Sequence, residues 1–299
     1  MDKLIYMDNA ATTSTAPEVV SAMLPFFTEY YGNPSSVYNF AQKSKMAIED
    51  AREIIADSIG AAKSNEIYFT GGGSESDNWA LKSAAFGLRN KGNHIITTKI
   101  EHHAILNTCA YLEKNGFEIT YLDVDSEGFV SLEDVENAIT EKTILISVMF
   151  ANNEIGTIEP VCEIGEIAHK HGILFHTDAV QAMCHVPINV TEMNIDLLSA
   201  SAHKFHGPKG VGFMYMKNSA KLEPFIHGGA QERARRAGTS NVPGIVGMGQ
   251  AVKLALSTLD KDTHTIINMR NYIVDRILGE IPDVTFDGPC IDANAVSAG

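Results

Sequence analysis

Cysteine, tryptophan and positive charge are all scarce in this sequence. Its 299 residues include four cysteines, one tryptophan, and 23 lysines and arginines against 37 aspartates and glutamates. The net charge of −14 argues against a surface for nucleic acid or an anionic membrane, because both need a basic face. Cys109, Cys162, Cys184 and Cys290 show neither a CxxC pair nor zinc-ligand spacing, so a reducing, cytoplasmic setting without a metal site is expected. No apolar run is long enough to span a bilayer. The opening MDKLIYMDNAATT lacks the basic-then-apolar pattern of a signal peptide. Internal repeats, low-complexity tracts and flexible linkers are missing too.

What is present is a globular composition, 44% hydrophobic and 20% charged, long enough for one large domain and a smaller one. The polar, small-residue segment over 6–13 reads as a loop that lines a site or simply as a turn. A helix is predicted over 17–30, opened by Pro17, whose missing N–H costs nothing there. A second, over 38–59, carries Ala47, Ile48, Ala51, Ile54 and Ile55 on one face and stops at Gly60. Strands over 66–70, 94–98, 117–122, 143–150, 173–177, 196–201 and 212–216 then alternate with helices over 74–88, 103–115, 132–139 and 162–171. This alternation predicts an α/β fold with a largely parallel sheet covered by helices, its binding groups gathered at the strand carboxyl ends. Two more helices are expected over 242–259 and 263–278, and a short strand over 284–286.

The residues at those strand ends suggest a chemistry. The stretch over 196–212, DLLSASAHKFHGPKGVG, places Lys204 where a buried strand ends; burial lowers an ammonium's pKa and frees the amine as a nucleophile. A surface lysine in a turn is the plainer alternative. Thr70-Gly71-Gly72-Gly73-Ser74 follows a strand and opens a helix, a cradle for one phosphate, though it matches neither GxGxxG nor GxxxxGK[ST]. Glu101-His102-His103 offers an aromatic ring for stacking or a helix cap; adjacent histidines point different ways and make a poor metal pair. Asn152-Asn153 offers amides or an ordinary turn. Asp178, after the apolar run over 173–175, is an acid that needs a cationic partner, or else a helix cap. Together they describe a flat ligand with a phosphate, a basic ring nitrogen and a carbonyl that reacts with an amine, which is pyridoxal 5′-phosphate.

At this point YMDNAATT, GNPSS, FTGGGSESDN, EHHAIL, NNEIGTIEP, HTDAVQA, SAHKFHGPKGVG and GGAQERARRAGTSNV together resemble the cysteine desulfurases of the NifS/IscS type, within the class V aminotransferase group. The resemblance runs nearly to Asp287. It implies a fold-type I enzyme that converts L-cysteine to L-alanine and passes the sulfur, through an enzyme cysteine persulfide, to iron–sulfur or thiocofactor assembly. Lys204 would carry the cofactor as a Schiff base and move protons, Asp178 would keep the ring nitrogen protonated, and His102 would stack on the ring. Gln181 would bond the phenolic oxygen, and Asn153 that oxygen or the substrate carboxylate. Gly73, Ser74, Ser201 and His203 would bind the phosphate. Thr239 would reach the phosphate of the other subunit of a homodimer. A sulfur acceptor or iron–sulfur scaffold protein is the implied partner.

The sequence departs from this family at its end. Members continue further, with an arginine for the substrate carboxylate and the persulfide cysteine; Cys290, in FDGPCIDAN, does not match that cysteine's motif, and Cys109 and Cys184 read as structural. Residues 1–259 are therefore expected to form the large cofactor-binding domain and 260–299 the start of a truncated small α+β domain. The N-terminal residues, up to about Ser14, are expected to pack with it. Two rivals stay open: a related lyase or aminotransferase using the same cofactor, and an inactive fragment that binds the cofactor without turnover.

Overall fold

Seven short strands, all but the edge strand Glu118–Leu122 largely buried, build one sheet in the structure, a computed structural model that describes residues 5–220 and 222–289. They are β1 (Ile67–Thr70), β2 (His94–Thr98), β3 (Glu118–Leu122), β4 (Thr143–Ser147), β5 (Leu174–Asp178), β6 (Leu197–Ser201) and β7 (Gly212–Met216). Their order is β1-β7-β6-β5-β4-β2-β3, and all run parallel except β7. Successive side chains point to opposite faces, so neighbouring residues enter different cores. Ile96, Ile146, Leu198 and Phe213 join one buried cluster, while Ile95, Leu145, Leu197 and Met214 join the other.

Helices cover both faces. On one lie α3 (Asn39–Ser58), α7 (Val161–Lys170) and the first half of α9 (Val242–Glu280), through Ile48, Ile55, Ile164, Ile245 and Met248. On the other lie α4 (Gly73–Gly87) and α5 (His103–Glu113), through Trp79, Leu81, Ile105 and Leu112. Four smaller helices complete the described chain: α1 (Pro17–Met23), α2 (Pro25–Thr28), α6 (Leu132–Asn137) and α8 (Gln231–Ala234). The carboxyl ends of β1, β2, β4, β5 and β6 meet along one edge of the sheet, and the register confirms it: both Thr70 and Ser201 stand opposite Gly212.

Several expectations need correction. The predicted helix over 17–30 is broken at Leu24, because Pro25 has no N–H to continue the ladder. The two helices predicted after 242 are one, Val242–Glu280, since the polar stretch between them contains neither glycine nor proline. Residues 284–286 form no strand. By length and composition α9 is apolar enough to cross a membrane, contrary to expectation. It is instead packed into the protein for its first turns, where Val242, Ile245, Met248, Ala251 and Val252 are buried.

The arginine-rich segment after 229 acts as a clasp. Glu232, with left-handed φ of 43°, accepts from Arg52 Nη1 at 2.8 Å, from Arg52 Nη2 at 3.0 Å and from the Phe69 amide at 3.0 Å. Arg233 donates to the Ile67 carbonyl at 2.7 Å and lies over the Tyr68 ring, and Arg236 pairs with Glu75 at 2.7 Å. These contacts fix the loop to β1 and to the first turn of α4.

Candidate functional site

The shared edge of the sheet encloses a cavity of about 570 Å³. Gly73 and Ser74 enter its wall from the start of α4, His102 from the start of α5, Asn153 from the loop after β4, Asp178 and Gln181 from the end of β5, and Ser201, His203 and Lys204 from the end of β6. Nine of the ten residues singled out in the sequence thus line one space. Thr239 does not: it is exposed, in the loop before α9.

One end of the cavity suits an anion. Gly72, with φ of +147°, caps α4, and the amides of that 15-residue helix open toward Ser74, Ser201 and His203. The backbone approaches closely here, and a Cβ at Gly73 would come within 2.5 Å of Val180 Cγ2. His203 Nδ1 lies 3.1 Å from Thr12 Oγ1, and burial lowers its pKa.

The other end holds the acid and the amine. Asp178 is 5% exposed and accepts from the Val180 amide at 2.9 Å. Burial raises its pKa, while Val180, His102 and Lys204 pull it down. Lys204 Nζ donates to the carbonyls of Ala10 and Ala11, the latter at 3.1 Å. Burial lowers the Lys204 pKa, against the attraction of Asp178 and Asp8, so a free amine is more accessible than on a solvated lysine. His102 Nδ1 accepts from the Ala104 amide at 3.0 Å, which leaves its proton on Nε2. Gln181 Nε2 donates to the Ala10 carbonyl at 3.0 Å, and Asn153 Nδ2 to Glu154 Oε1 at 2.9 Å.

Sequence reasoning missed a layer beneath these groups. Asp77, on α4, is 1% exposed and also lines the cavity. One oxygen of Asp77, one of Asp178 and a ring nitrogen of His102 all lie within 4.8 Å of one another. His176, fully buried on β5, bridges Ser147 Oγ at 2.9 Å and Ser199 Oγ at 3.0 Å, and burial holds its pKa down to about 3. Glu101 accepts from Thr98 Oγ1 and the Met149 amide, each at 2.9 Å, and burial pushes it up to about 8. A histidine inside an apolar strand, and an aspartate one helical turn after Ser74, were the available signals.

The cysteines have different surroundings. Cys109 and Cys184 are buried free thiols; burial pushes Cys109 up to about 12 and raises Cys184 further still, so both are poor nucleophiles. Cys162 is half-buried, and Cys290 lies outside the described residues.

Known proteins are similar to this chain in sequence and fold. The aminotransferase class-V family model matches residues 5–297. A cysteine desulfurase IscS of Clostridium botulinum is 59% identical over 289 residues, 97% of this chain and 72% of that relative. A solved NifS-like protein superposes with a TM-score of 0.90 at 42% identity, over 93% of this chain and 76% of the other. A structure described as SspA in complex with cysteine superposes with a TM-score of 0.81 at 47% identity, over 84% of this chain and 72% of the other.

Proposed function

We infer the function from a plain premise: the chain belongs to the class V aminotransferase family. Its mostly parallel seven-stranded sheet is the fold-type I architecture of its NifS-like neighbours, and it is a cysteine desulfurase. In that reaction the Cβ–S bond of L-cysteine breaks, a proton takes the place of sulfur on Cβ to give L-alanine, and a thiol gains the sulfur atom as a persulfide. The observation that carries this reading is that Lys204, Asp178 and the amino end of α4 line one cavity.

Pyridoxal 5′-phosphate fits the residues present. The glycine cradle leaves no room for a Cβ beside Val180, and the buried Asp178 calls for a cationic neighbour. The phosphate would sit at the amino end of α4, held by Gly73, Ser74, Ser201 and His203. Asp178 would hold a proton on the ring nitrogen, His102 would cover the flat face, and Gln181 and Asn153 would meet the ring oxygen. Bound there, the ring supplies a sink for the electrons left when the substrate's α-proton departs. Lys204 Nζ is the base for that proton, and the carbonyls of Ala10 and Ala11 orient it.

Further parts of the reading are a homodimer, a cytoplasmic setting and a sulfur-accepting or iron–sulfur scaffold partner. Thr239, exposed and outside its own cavity wall, is suited to serve a second subunit. A division near residue 259 is supported by α9, whose buried residues lie between Val242 and Val252 while Met269 and Tyr272 are 60% and 61% exposed. The test combines two measurements. Incubation with L-cysteine should yield alanine and sulfide, and borohydride reduction followed by peptide mapping should leave the pyridoxyl label on Lys204. A label on Lys209, or on no lysine, overturns the reading.

A further inference from the structure

Asp77 is an acid without a counter-cation, on the wall of a cavity that already holds Asp178. Its Oδ1 is buried and has no hydrogen-bond partner. The nearest basic group is His176, whose Nε2 lies 3.9 Å from that oxygen. His176 cannot supply a positive charge: it is completely buried and each ring nitrogen is matched to a serine hydroxyl, so it stays neutral. Ser199, which His176 bridges to, hydrogen-bonds Asp77 in turn. A ring nitrogen of His102 lies within 4.8 Å of both Asp77 and Asp178, and the other charged neighbours are acids, Asp178 and Glu101.

Two carboxylates this close in a dry site do not both ionise, and one keeps a proton. The surroundings decide which. Asp178 has the Val180 amide at 2.9 Å and the pull of His102 and Lys204. Asp77 has the Ser199 hydroxyl and the same His102 ring within 4.8 Å but no backbone amide, and burial together with Asp178 raises it well above the usual carboxylate range. We propose that Asp77 is a positioning residue that stands as a neutral carboxylic acid beside Asp178 and keeps Asp178 as the anion that partners the cofactor's ring nitrogen. The inference rests on the functional reading above, which puts that nitrogen at Asp178. Ser147, His176 and Ser199 form the buried hydroxyl–imidazole–hydroxyl chain that supports Asp77 from behind.

The test uses protein labelled with carbon-13 aspartate and loaded with pyridoxal 5′-phosphate. The infrared difference between wild type and Asp77→Asn at neutral pH should lose the C=O stretch of a protonated acid. Loss of carboxylate bands instead overturns the proposal. Cofactor dissociation constants give a second readout. Asp77→Asn keeps an uncharged donor and should stay within about threefold of wild type, whereas Asp77→Leu should weaken binding by about tenfold or more. An asparagine variant that weakens as far as the leucine variant overturns the proposal. If neither variant folds, the labelled wild type suffices: a protonated aspartate band at neutral pH is expected, and its absence overturns the inference. Wild-type protein that takes up no pyridoxal 5′-phosphate overturns the functional reading itself, and this inference with it, a result no infrared band can mimic.

Discussion

Replacing Glu101 by glutamine should make this protein more stable in alkali and less stable in acid. Glu101 is 4% exposed; its Oε1 accepts from Thr98 and from the Met149 amide, while Oε2 has no partner. Burial holds its pKa at about 8 in the folded chain, against an ordinary 4.5. A raised folded pKa means that the unfolded chain releases the proton first. The stability is complete below about pH 4.5 and is lost as the pH rises to about 8. A separation of about 3.5 pH units sets a ceiling of roughly 5 kcal/mol on that loss. Glutamine keeps both accepted bonds through its own Oε1 but puts an NH2 where Oε2 stood, at a cost of about 1–3 kcal/mol at every pH. The stability curves should therefore cross near about pH 6, with the variant ahead by about 3 kcal/mol on the alkaline side. Urea denaturation of both proteins across a pH series measures this directly. A difference that stays constant from acid to alkali would refute the reasoning, because it would mean that Glu101 does not titrate between those limits.

Two further outcomes can be checked. Gly73→Ala should weaken binding of pyridoxal 5′-phosphate by about tenfold or more, since its Cβ would meet Val180 Cγ2 at 2.5 Å, and Val180→Ala in the same chain should restore part of the loss in equilibrium dialysis. Sedimentation should show a dimer in the cofactor-loaded protein; a stable monomer with full cofactor occupancy would count against the second-subunit role of Thr239.

Much of the site was legible because strand ends carry it. Lys204, Asp178, Ser201 and Gly73 each follow an apolar run that could only be a buried strand, and their chemistry changes abruptly where the strand stops. Asp77 and His176 escaped notice for the opposite reason. Asp77 sits on a helix that opens with polar residues, GSESDN, where burial cannot be told from exposure until α4 is laid against the sheet. His176 interrupts no period, because a strand buried on both faces has no polar side to betray it. The length of α9 was missed because the polar stretch LDKDTHT interrupts the apolar pattern, although none of those residues breaks a helix once the turns before it are anchored. The clasp made by the arginine-rich loop was not legible in the sequence. Its partners, Arg52 with Glu232 and Glu75 with Arg236, lie more than a hundred residues apart in sequence, and no local pattern announces them.

The carbonyls that hold the reactive amine come from the other end of the chain. Thr13 and His203 are joined across 190 residues by the Thr13 hydroxyl and amide, and Ala16 is likewise joined to His206. On a ribosome moving at about 5–20 residues per second, the first of these segments waits roughly 10–40 seconds for its mate to be made. Until then residues 8–16 have no lysine turn to bind, and Lys204, when it emerges, has no other carbonyls waiting for it. The amine is thus set in place by the meeting of an early segment with a late one, after all six parallel strands of the sheet have been synthesised. Its orientation therefore joins two segments that the sequence holds far apart.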